Sequence, residues 1–349
     1  MNIRSSYVAT AAVLLLASAT AIASPVYTIS TLNFVPWGIN DAGQITGSYG
    51  SLGAVVQTGA VENIVGNFPG GTEATGLSIN TSGHITGEGY TTQSINAPLH
   101  AFVWTGGALQ DLGTLGGTYS SGRGINDAGI VVGVSSTAGD GAQHAFSWAS
   151  GTMTDLGTLP GDGLSAAYGI NNAGVIVGYS QKTFPDASHA VIWDGGTISD
   201  LGVGQAKAID DSGRVAGVSN GNVTLWSAGV THDLGSLGGG GAAIWDINNL
   251  GQIVGSTLVA GGSGRHAIIS DGISLVDLNA LIDPTLGWVL TDADVINDSG
   301  VIAGQGTFNG KDAWFLLTPG SEVPEPGTLT LVCAALLPFA CRRIRFRKK

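Results

Sequence analysis

The chain has 349 residues but only two cysteines, and both of them, Cys333 and Cys341, lie close to its C-terminus. The rest of the chain therefore has no disulfide framework, and packing alone must hold its fold together. Helical periodicity is also nearly absent, because apolar residues alternate or pair and glycine interrupts them at short intervals. With 43% hydrophobic residues the chain is nevertheless too apolar to be disordered, so an all-β protein is predicted.

Basic residues are scarce in the body of the chain. Of 13 in total, six lie in the last eight positions and one is Arg4, which leaves six between Ser24 and Glu322. The same stretch holds 24 of the 25 acidic residues. Because so acidic a body repels phosphate backbones, nucleic acid is not expected as a partner. Acidity also keeps an exported body soluble.

Glycine, in contrast, is abundant, with 57 residues, and much of it belongs to a motif that occurs seven times. Each copy reads as an apolar residue, a tight turn with Asn or Asp, an apolar pair and a glycine. The copies are GINDAGQITG (38–47), SINTSGHITG (78–87), GINDAGIVVG (124–133), GINNAGVIVG (169–178), AIDDSGRVAG (208–217), DINNLGQIVG (246–255) and VINDSGVIAG (295–304). Asn and Asp bond their own backbone in such turns, and the turn glycine accepts a positive φ.

The first polar residue of each turn, called the marker below, recurs at intervals of 40, 46, 45, 39, 38 and 49 residues. The markers are Asn40, Asn80, Asn126, Asn171, Asp210, Asn248 and Asn297. A period of roughly 40–50 residues is that of four-stranded propeller blades, so the spacing predicts a seven-bladed β-propeller-like ring. The glycines of the following strand predict a close backbone approach or a bulge; they include Gly133, Gly178, Gly217 and Gly255.

Two further segments, of the forms HAFxW and DLG, recur between the turn motifs. HAFxW-type segments fill seven places, but a DLG-type segment follows only six of them, because the chain leaves the repeats at Leu317. VYTISTLNF (26–34) precedes the first turn motif where a DLG segment precedes the others. We expect this strand to pair with 314–317 and close the ring, since a sheet edge would otherwise stay open. An open β-solenoid is the alternative.

The combination of GIN-D-x-G-x-I-V-G, HAFxW and DLGTLGG resembles the HAF family of bacterial extracellular repeats over roughly residues 27–319. The departures are NVTLW (222–226), which lacks the His, and a degenerate first unit. The resemblance implies a β-rich, propeller-like exported domain over residues 24–319, and it supplies no activity.

Residues 1–23 have the pattern of a secretory signal, in which Arg4 precedes an apolar run that ends with Ala23. We expect export through the Sec pathway, with signal peptidase cutting between Ala23 and Ser24. A permanent membrane anchor is the less favoured alternative, because Ser and Thr interrupt the apolar run.

The segment 320–349 follows the repeats and has a different composition. It contains VPEP, then an apolar run, then RRIRFRKK (342–349). The VPEP residues are Val323, Pro324, Glu325 and Pro326. This order resembles the PEP-CTERM sorting signal, which implies a single transmembrane helix and cleavage by an exosortase-like membrane protease. The basic cluster is expected to stay cytoplasmic. An ordinary C-terminal anchor is the alternative.

No catalytic, cofactor-binding or metal-binding set is predicted. Four histidines share one position of the repeat: His100, His144, His189 and His266. Equivalent positions in different blades lie too far apart to share a metal ion unless they line the axis, so each histidine is expected to bond a neighbouring blade. The repeated Asp residues match no calcium loop and are explained by turn chemistry and strand capping.

The tryptophans fall into two sets. Trp104, Trp148, Trp193 and Trp226 share one repeat position, which is typical of core between blades. The second set precedes the turn motifs less regularly, and its members are our candidates for exposed aromatics that stack on a glycan: Trp37, Trp245 and Trp288.

The sequence thus predicts a non-catalytic cell-surface or secreted protein that binds or structures extracellular polysaccharide or matrix. The alternative is a polysaccharide hydrolase or lyase with its site at the ring axis. That alternative requires two carboxylates at catalytic separation, or a His–Tyr–Arg group, in one pocket. A purely structural spacer is a third interpretation.

Overall fold

The structure is a computed structural model that describes residues 26–94, 97–262 and 264–320. Within these ranges the regular elements are β-strands and four short 3-10 turns, so the predicted all-β class is confirmed. The expected signal segment with its cleavage site at Ala23 and Ser24, and the sorting segment with Val323, Pro324, Glu325 and Pro326, lie outside the described residues. No helix in the described part of the chain is long and apolar enough to cross a bilayer.

The strands follow one another in groups of four. They are β1 (Tyr27–Leu32); β2 (Val35–Ile39), β3 (Gln44–Ser48), β4 (Ala54–Thr58), β5 (Val61–Gly66); β6 (Thr72–Ile79), β7 (Ile85–Tyr90), β8 (Leu99–Trp104), β9 (Gln110–Asp111); β10 (Gly116–Ile125), β11 (Val131–Thr137), β12 (Gln143–Ala149), β13 (Thr152–Gly157); β14 (Leu164–Ile170), β15 (Ile176–Gln181), β16 (Ser188–Asp194), β17 (Thr197–Val203); β18 (Gln205–Ile209), β19 (Val215–Ser219), β20 (Asn222–Ser227), β21 (Val230–Gly235); β22 (Ala243–Ile247), β23 (Ile253–Leu258), β24 (Arg265–Ser270), β25 (Leu275–Asp277); and β26 (Trp288–Ile296), β27 (Ile302–Phe308), β28 (Lys311–Pro319). The 3-10 turns span Gly50–Leu52, Ala138–Asp140, Leu278–Leu281 and Pro284–Leu286.

Sequential strands of a group pair antiparallel, as short hairpins dictate. The groups that begin with β2, β14, β18 and β22 each form a four-stranded sheet in chain order. The groups that begin with β6 and β10 share one eight-stranded sheet, joined by a parallel pairing of Tyr119 in β10 with Leu99 in β8. The last sheet has the order β1-β28-β27-β26.

The N-terminal strand completes the last sheet. β1 pairs antiparallel with β28, in a register that runs from Tyr27 opposite Pro319 to Leu32 opposite Trp314. The pairing expected at this seam is therefore confirmed. Leu32 is also buried in a cluster with Val55 and Val295, so the first and last sheets share apolar core as well as backbone hydrogen bonds.

Apolar side chains of successive groups pack face to face and form the core. Trp148, Trp193 and Trp226 are buried there, which confirms the expectation for their repeat position. Trp104 is half-buried, and its indole N–H donates to the Gly107 carbonyl at 2.7 Å. Because each sheet buries one face against the preceding group and the other against the next, no group shields its own core alone.

The marker side chains connect one group to the next. In every copy the backbone N–H four residues after the marker donates to the marker's Oδ1, which closes the turn. Each asparagine marker then donates from Nδ2 to the carbonyl of the following marker, at 2.9–3.2 Å. The last of these bonds, from Asn297 to the Asn40 carbonyl, returns to the first marker.

Asp210 is the exception, because a carboxylate has no N–H to donate. Its Oδ2 instead accepts from Nε of Arg214, and Nη2 of the same guanidinium donates to the Asn249 carbonyl at 2.9 Å. The Asp210 side chain is fully buried. The Arg214 side chain therefore donates the hydrogen bond to the next strand group that the asparagine Nδ2 donates in the other copies.

Val175 lies four residues after the Asn171 marker, as Arg214 does after Asp210. Replacing Arg214 by Val is therefore expected to leave the buried Asp210 carboxylate without its cation. Loss of one partner of a fully buried ion pair costs about 3–5 kcal/mol; because Arg214 is 30% exposed, a loss of about 1–3 kcal/mol of unfolding free energy is expected, the cost of leaving a buried polar group unsatisfied. Adding Asp210→Asn restores a donor toward the next group and is expected to recover most of that loss. Denaturant unfolding of the two single variants and the double variant measures the coupling; additive losses would contradict this role of Arg214.

Candidate functional site

The strand that leads into each marker turn, called the inner strand below, contains a β-bulge three residues before its marker. The inner strands are β2, β6, β10, β14, β18, β22 and β26. The unpaired residue of the bulge is Trp37, Leu77, Arg123, Tyr168, Lys207, Trp245 or Asp294. A bulge re-aims a side chain that the regular pleat would direct elsewhere. In the copies of the motif, the residue before the marker is always Ile, whereas the bulge position differs in charge and shape from copy to copy.

A glycine in the adjacent strand makes each bulge possible. This glycine lies seven residues after the marker, and a Cβ on it would clash with the backbone carbonyl two residues before the bulge. The glycines are Gly47, Gly87, Gly133, Gly178, Gly217, Gly255 and Gly304. The close backbone approach predicted for Gly133, Gly178, Gly217 and Gly255 is confirmed, and its consequence is the bulge opposite.

All of the bulge side chains line one cavity of about 620 Å³. The cavity lies on the side of the inner strands away from the marker turns, and Glu88, Tyr119 and Asp246 also contribute to its wall. Its volume falls within the ~300–1,000 Å³ of typical small-molecule sites. The seven variable positions thus converge, while the repeated residues around them form the frame.

One arc of the wall is basic and aromatic. The guanidinium of Arg123 lies 4.8 Å from the ring centre of Tyr168. Lys207 belongs to a neighbouring strand group, and its Nζ lies 3.8 Å from the centre of the same ring. Burial lowers the pKa of Lys207, against the opposing effect of the Tyr168 hydroxyl. Neither cation has an ion-pair partner within the described ranges.

Another arc is acidic. Asp294 is only 5% exposed, and neither of its carboxyl oxygens has a hydrogen-bond partner. Burial, reinforced by the nearby Asp292 carboxyl, raises the pKa of Asp294 well above its ordinary value. Asp292 is engaged, since its Oδ1 accepts from the indole N–H of Trp245 at 3.0 Å. Trp245 is 44% exposed, so this bond holds an accessible indole in place.

Asp246 also lines the cavity, but both of its oxygens are occupied by backbone groups. Oδ1 accepts from its neighbour Ile247 at 2.8 Å, and Oδ2 accepts from Ile296 of the next group at 2.9 Å. Burial raises the pKa of Asp246 to about 7, although these hydrogen bonds act in the opposite direction. The carboxyl therefore connects two strand groups.

A second cavity of about 440 Å³ adjoins the first and shares Lys207, Ile244 and Trp245 with it. It lies over the β19–β20 hairpin, whose connection is only Asn220 and Gly221. The corresponding connections of the flanking groups are longer, at 182–187 and 259–264. The short hairpin leaves a notch that extends the large cavity outward.

On the marker side lies a smaller polar cavity of about 200 Å³. The residues that follow the markers surround it, and successive members hydrogen-bond to one another, as Asp127 does to Thr81 and Asn172. In the described part of the chain, no group of three or more His, Cys, Asp or Glu side chains is arranged to hold a metal ion.

The histidines bond within their own sheet, so the expectation that they bond a neighbouring blade is wrong. Nδ1 of each lies 2.6–3.0 Å from the Asp of the DLG segment, 11 residues later on the paired strand; the pairs are His100–Asp111, His144–Asp155, His189–Asp200 and His266–Asp277. Asn222, which replaces the histidine in NVTLW, bonds Asp233 at 3.0 Å in the same way. In all five pairs Oδ1 of the aspartate accepts a backbone N–H two residues on, which is the expected turn chemistry.

The three candidate tryptophans separate. Trp37 and Trp245 both line the large cavity. Trp288 is only 9% exposed and packs against Phe308 and Phe315, with ring centres 5.1 and 6.2 Å away. Its expected exposure is therefore wrong, because Trp288 lies nine residues before its marker, at the start of the long strand β26, instead of at the bulge. Arg123, Tyr168, Lys207 and Asp294 are cavity residues that sequence analysis missed.

No protein-family model matches the chain, and no curated protein matches it. Solved structures with a similar fold include a protein assigned as TolB from Agrobacterium tumefaciens, with 13% identity, a TM-score of 0.44, and coverage of 83% of this chain and 91% of that one. TolB from Acinetobacter baumannii has 12% identity, a TM-score of 0.40, and coverage of 68% and 63%. Trypanosoma rangeli sialidase has 11% identity, a TM-score of 0.35, and coverage of 83% and 59%.

Gly133→Ala is expected to destabilise the protein, because the new Cβ meets the Ser121 carbonyl that the bulge at Arg123 pushes forward. Overpacking of this kind costs about 1–3 kcal/mol or more. Gly107→Ala is the matched control, since no atom lies within 4 Å of a Cβ at Gly107 and its φ is not positive. Thermal unfolding of both variants is the measurement. Equal melting temperatures would show that the bulge does not depend on this glycine.

Proposed function

We propose that the chain is an exported, closed ring of seven four-stranded blades that binds a saccharide in its axial cavity without catalysing a reaction. Export, exosortase-type sorting of the tail and an extracellular location belong to this proposal on the strength of residues 1–23 and 320–349. Polysaccharide of the cell surface or matrix is the proposed source of the ligand.

The marker hydrogen bonds support the ring. They pass from each strand group to the next and return from Asn297 to Asn40, with Arg214 supplying the connection at Asp210. The pairing of β1 with β28 adds a second link between the two ends of the repeat region. An open solenoid has no reason to connect its first and last repeats in these two ways.

The observation that carries the binding proposal is the convergence of the bulge side chains on one cavity. Trp37, Tyr168 and Trp245 present the flat apolar faces on which sugar rings stack, and Arg123, Lys207 and Asp294 supply hydrogen-bonding groups between them. A large, largely preformed concave site with a few convergent polar groups is the usual form of a ligand site. The notch over β19–β20 gives a longer saccharide a way out of the cavity.

The enzyme alternative has one favourable observation, since Asp246 and Asp294 from neighbouring groups line the same cavity. The geometry of Asp246 argues against a catalytic pair, because two backbone N–H groups occupy its carboxyl oxygens. A general acid or base needs a carboxyl that is free to reach the scissile bond. Glu88 and Asp294 line the cavity as well, but a binding role requires no catalytic pair among these carboxyls and is the better-supported proposal.

A glycan array and polysaccharide pull-down with the exported protein test the proposal. Trp37→Ala and Trp245→Ala are each expected to weaken saccharide binding about tenfold, the scale of an aromatic contact with its buried area. Phe184→Ala is the control, because Phe184 is an 87% exposed aromatic that does not line the cavity.

Unchanged binding in both tryptophan variants would contradict a site in the axial cavity. Bound saccharides are also analysed for shortened products after incubation. Products formed by the wild type and lost in Asp294→Asn would favour the enzyme over the binding protein.

A further inference from the structure

We infer that the axial cavity takes a zwitterion, whose cationic group binds at Asp294 and whose anionic group binds between Arg123 and Lys207. This inference rests on the proposed function and narrows the saccharide to one that carries both a free amino group and an acidic group.

The basic arc is built for an anion. The stretch from Ser24 to Glu322 has only six basic residues, and two of them, Arg123 and Lys207, lie in this one cavity on either side of Tyr168. Among the described residues neither Arg123 nor Lys207 has a carboxylate partner; their side chains bond only to the hydroxyls of Tyr119 and Tyr168. Desolvated cations without a counter-ion are costly, and a bound carboxylate or sulfate would satisfy both of them.

The acidic arc is built for a cation. Asp294 is buried, it has no hydrogen-bond partner on either oxygen, and it lines the cavity from its bulge. Buried polar groups are almost always satisfied in a folded protein, so an orphan carboxyl that faces a cavity points to a missing ligand group. Asp292 lies close enough to reinforce a negative field there, and it is already bonded to Trp245.

The two arcs lie across the ring from each other. Asp294 belongs to the last strand group, whereas Arg123 and Tyr168 belong to the third and fourth of the seven in chain order, which face it across the axis of a closed ring. Lys207 belongs to the fifth group, two groups away from Asp294, so the basic arc extends from the far side of the ring toward it. A ligand that spans the cavity therefore meets opposite charges at its two ends. Between these ends lie Trp37 and Trp245, which suit the ring of a sugar better than a short flexible chain.

Calorimetry with the full-length wild-type protein in detergent tests the inference by changing the ligand. The probes are an amino-uronic disaccharide, its N-acetylated form, its carboxyl-reduced form, and a dipeptide of uncharged residues as a zwitterion without a sugar. The unmodified disaccharide is expected to bind about 30-fold more tightly than either modified form, because N-acetylation removes the cation that pairs with Asp294 and carboxyl reduction removes the anion that pairs with Arg123 and Lys207.

The binding of the same three disaccharides is also measured with two protein variants. Asp294→Asn, which keeps the shape of the side chain, is expected to weaken binding of the two amine-bearing disaccharides and to leave the N-acetylated form unchanged. Lys207→Met is expected to weaken the two carboxylate-bearing forms and to leave the reduced form unchanged. Lys311→Gln and Asp312→Asn, both on the exposed β28 hairpin, are the charge-matched controls.

Each outcome has a meaning. Equal affinity of the wild type for all three disaccharides, or a preference for a singly charged one, overturns the zwitterion while the binding cavity stands, provided that Trp37→Ala still weakens binding. Binding that ignores Trp37→Ala, or no binding of any probe at about 1 mM, overturns both proposals. Tight binding of the dipeptide in place of the disaccharide keeps the zwitterion and replaces the saccharide.

Discussion

The marker hydrogen bond is the interaction on which the rest of the structure depends. One asparagine side chain closes its own turn with Oδ1 and reaches the next strand group with Nδ2, so local and long-range structure use the same residue. Repeat proteins are stabilised by the interfaces between neighbours as well as by each repeat. Here the interface contains a directional hydrogen bond that joins successive marker turns.

Asp210 shows how strict this requirement is. The carboxylate preserves the turn, because its Oδ1 accepts from the Arg214 backbone as an asparagine oxygen would. It cannot reach the next carbonyl, and the guanidinium of Arg214 takes that part. Without Arg214, a carboxyl oxygen of Asp210 would have no donor toward the next strand group. Arg214, four residues later in the same hairpin, supplies that donor. This copy therefore makes the same connection between strand groups as the other six, with a carboxylate and a guanidinium in place of an amide.

The glycine opposite each bulge separates the frame from the site. Because the glycine admits the displaced carbonyl, the inner strand projects one extra side chain without disturbing the pairs on either side. The bulge residue has no register partner on the adjacent strand. Trp37, Arg123, Lys207 and Asp294 can therefore differ while the isoleucine and the marker beyond them stay the same.

Much of the frame could be predicted from the sequence because it is periodic. The spacing of the turns, the strand that completes the last sheet and the buried tryptophans all depend on repetition along the chain. The His–Asp pairs were also predictable, since they keep a constant separation of 11 residues, but that separation was not used. Trp288 was misassigned because its distance from Asn297 is nine residues, whereas Trp37 and Trp245 lie three residues before their markers.

The cavity could not be found from repetition, because its residues are the ones that do not repeat. A position that varies inside an otherwise constant strand resembles an unconstrained surface position until the bulge shows where its side chain lies. In this fold a variable residue that is flanked by constant ones and opposed by a constant glycine projects from a bulge and lines the cavity.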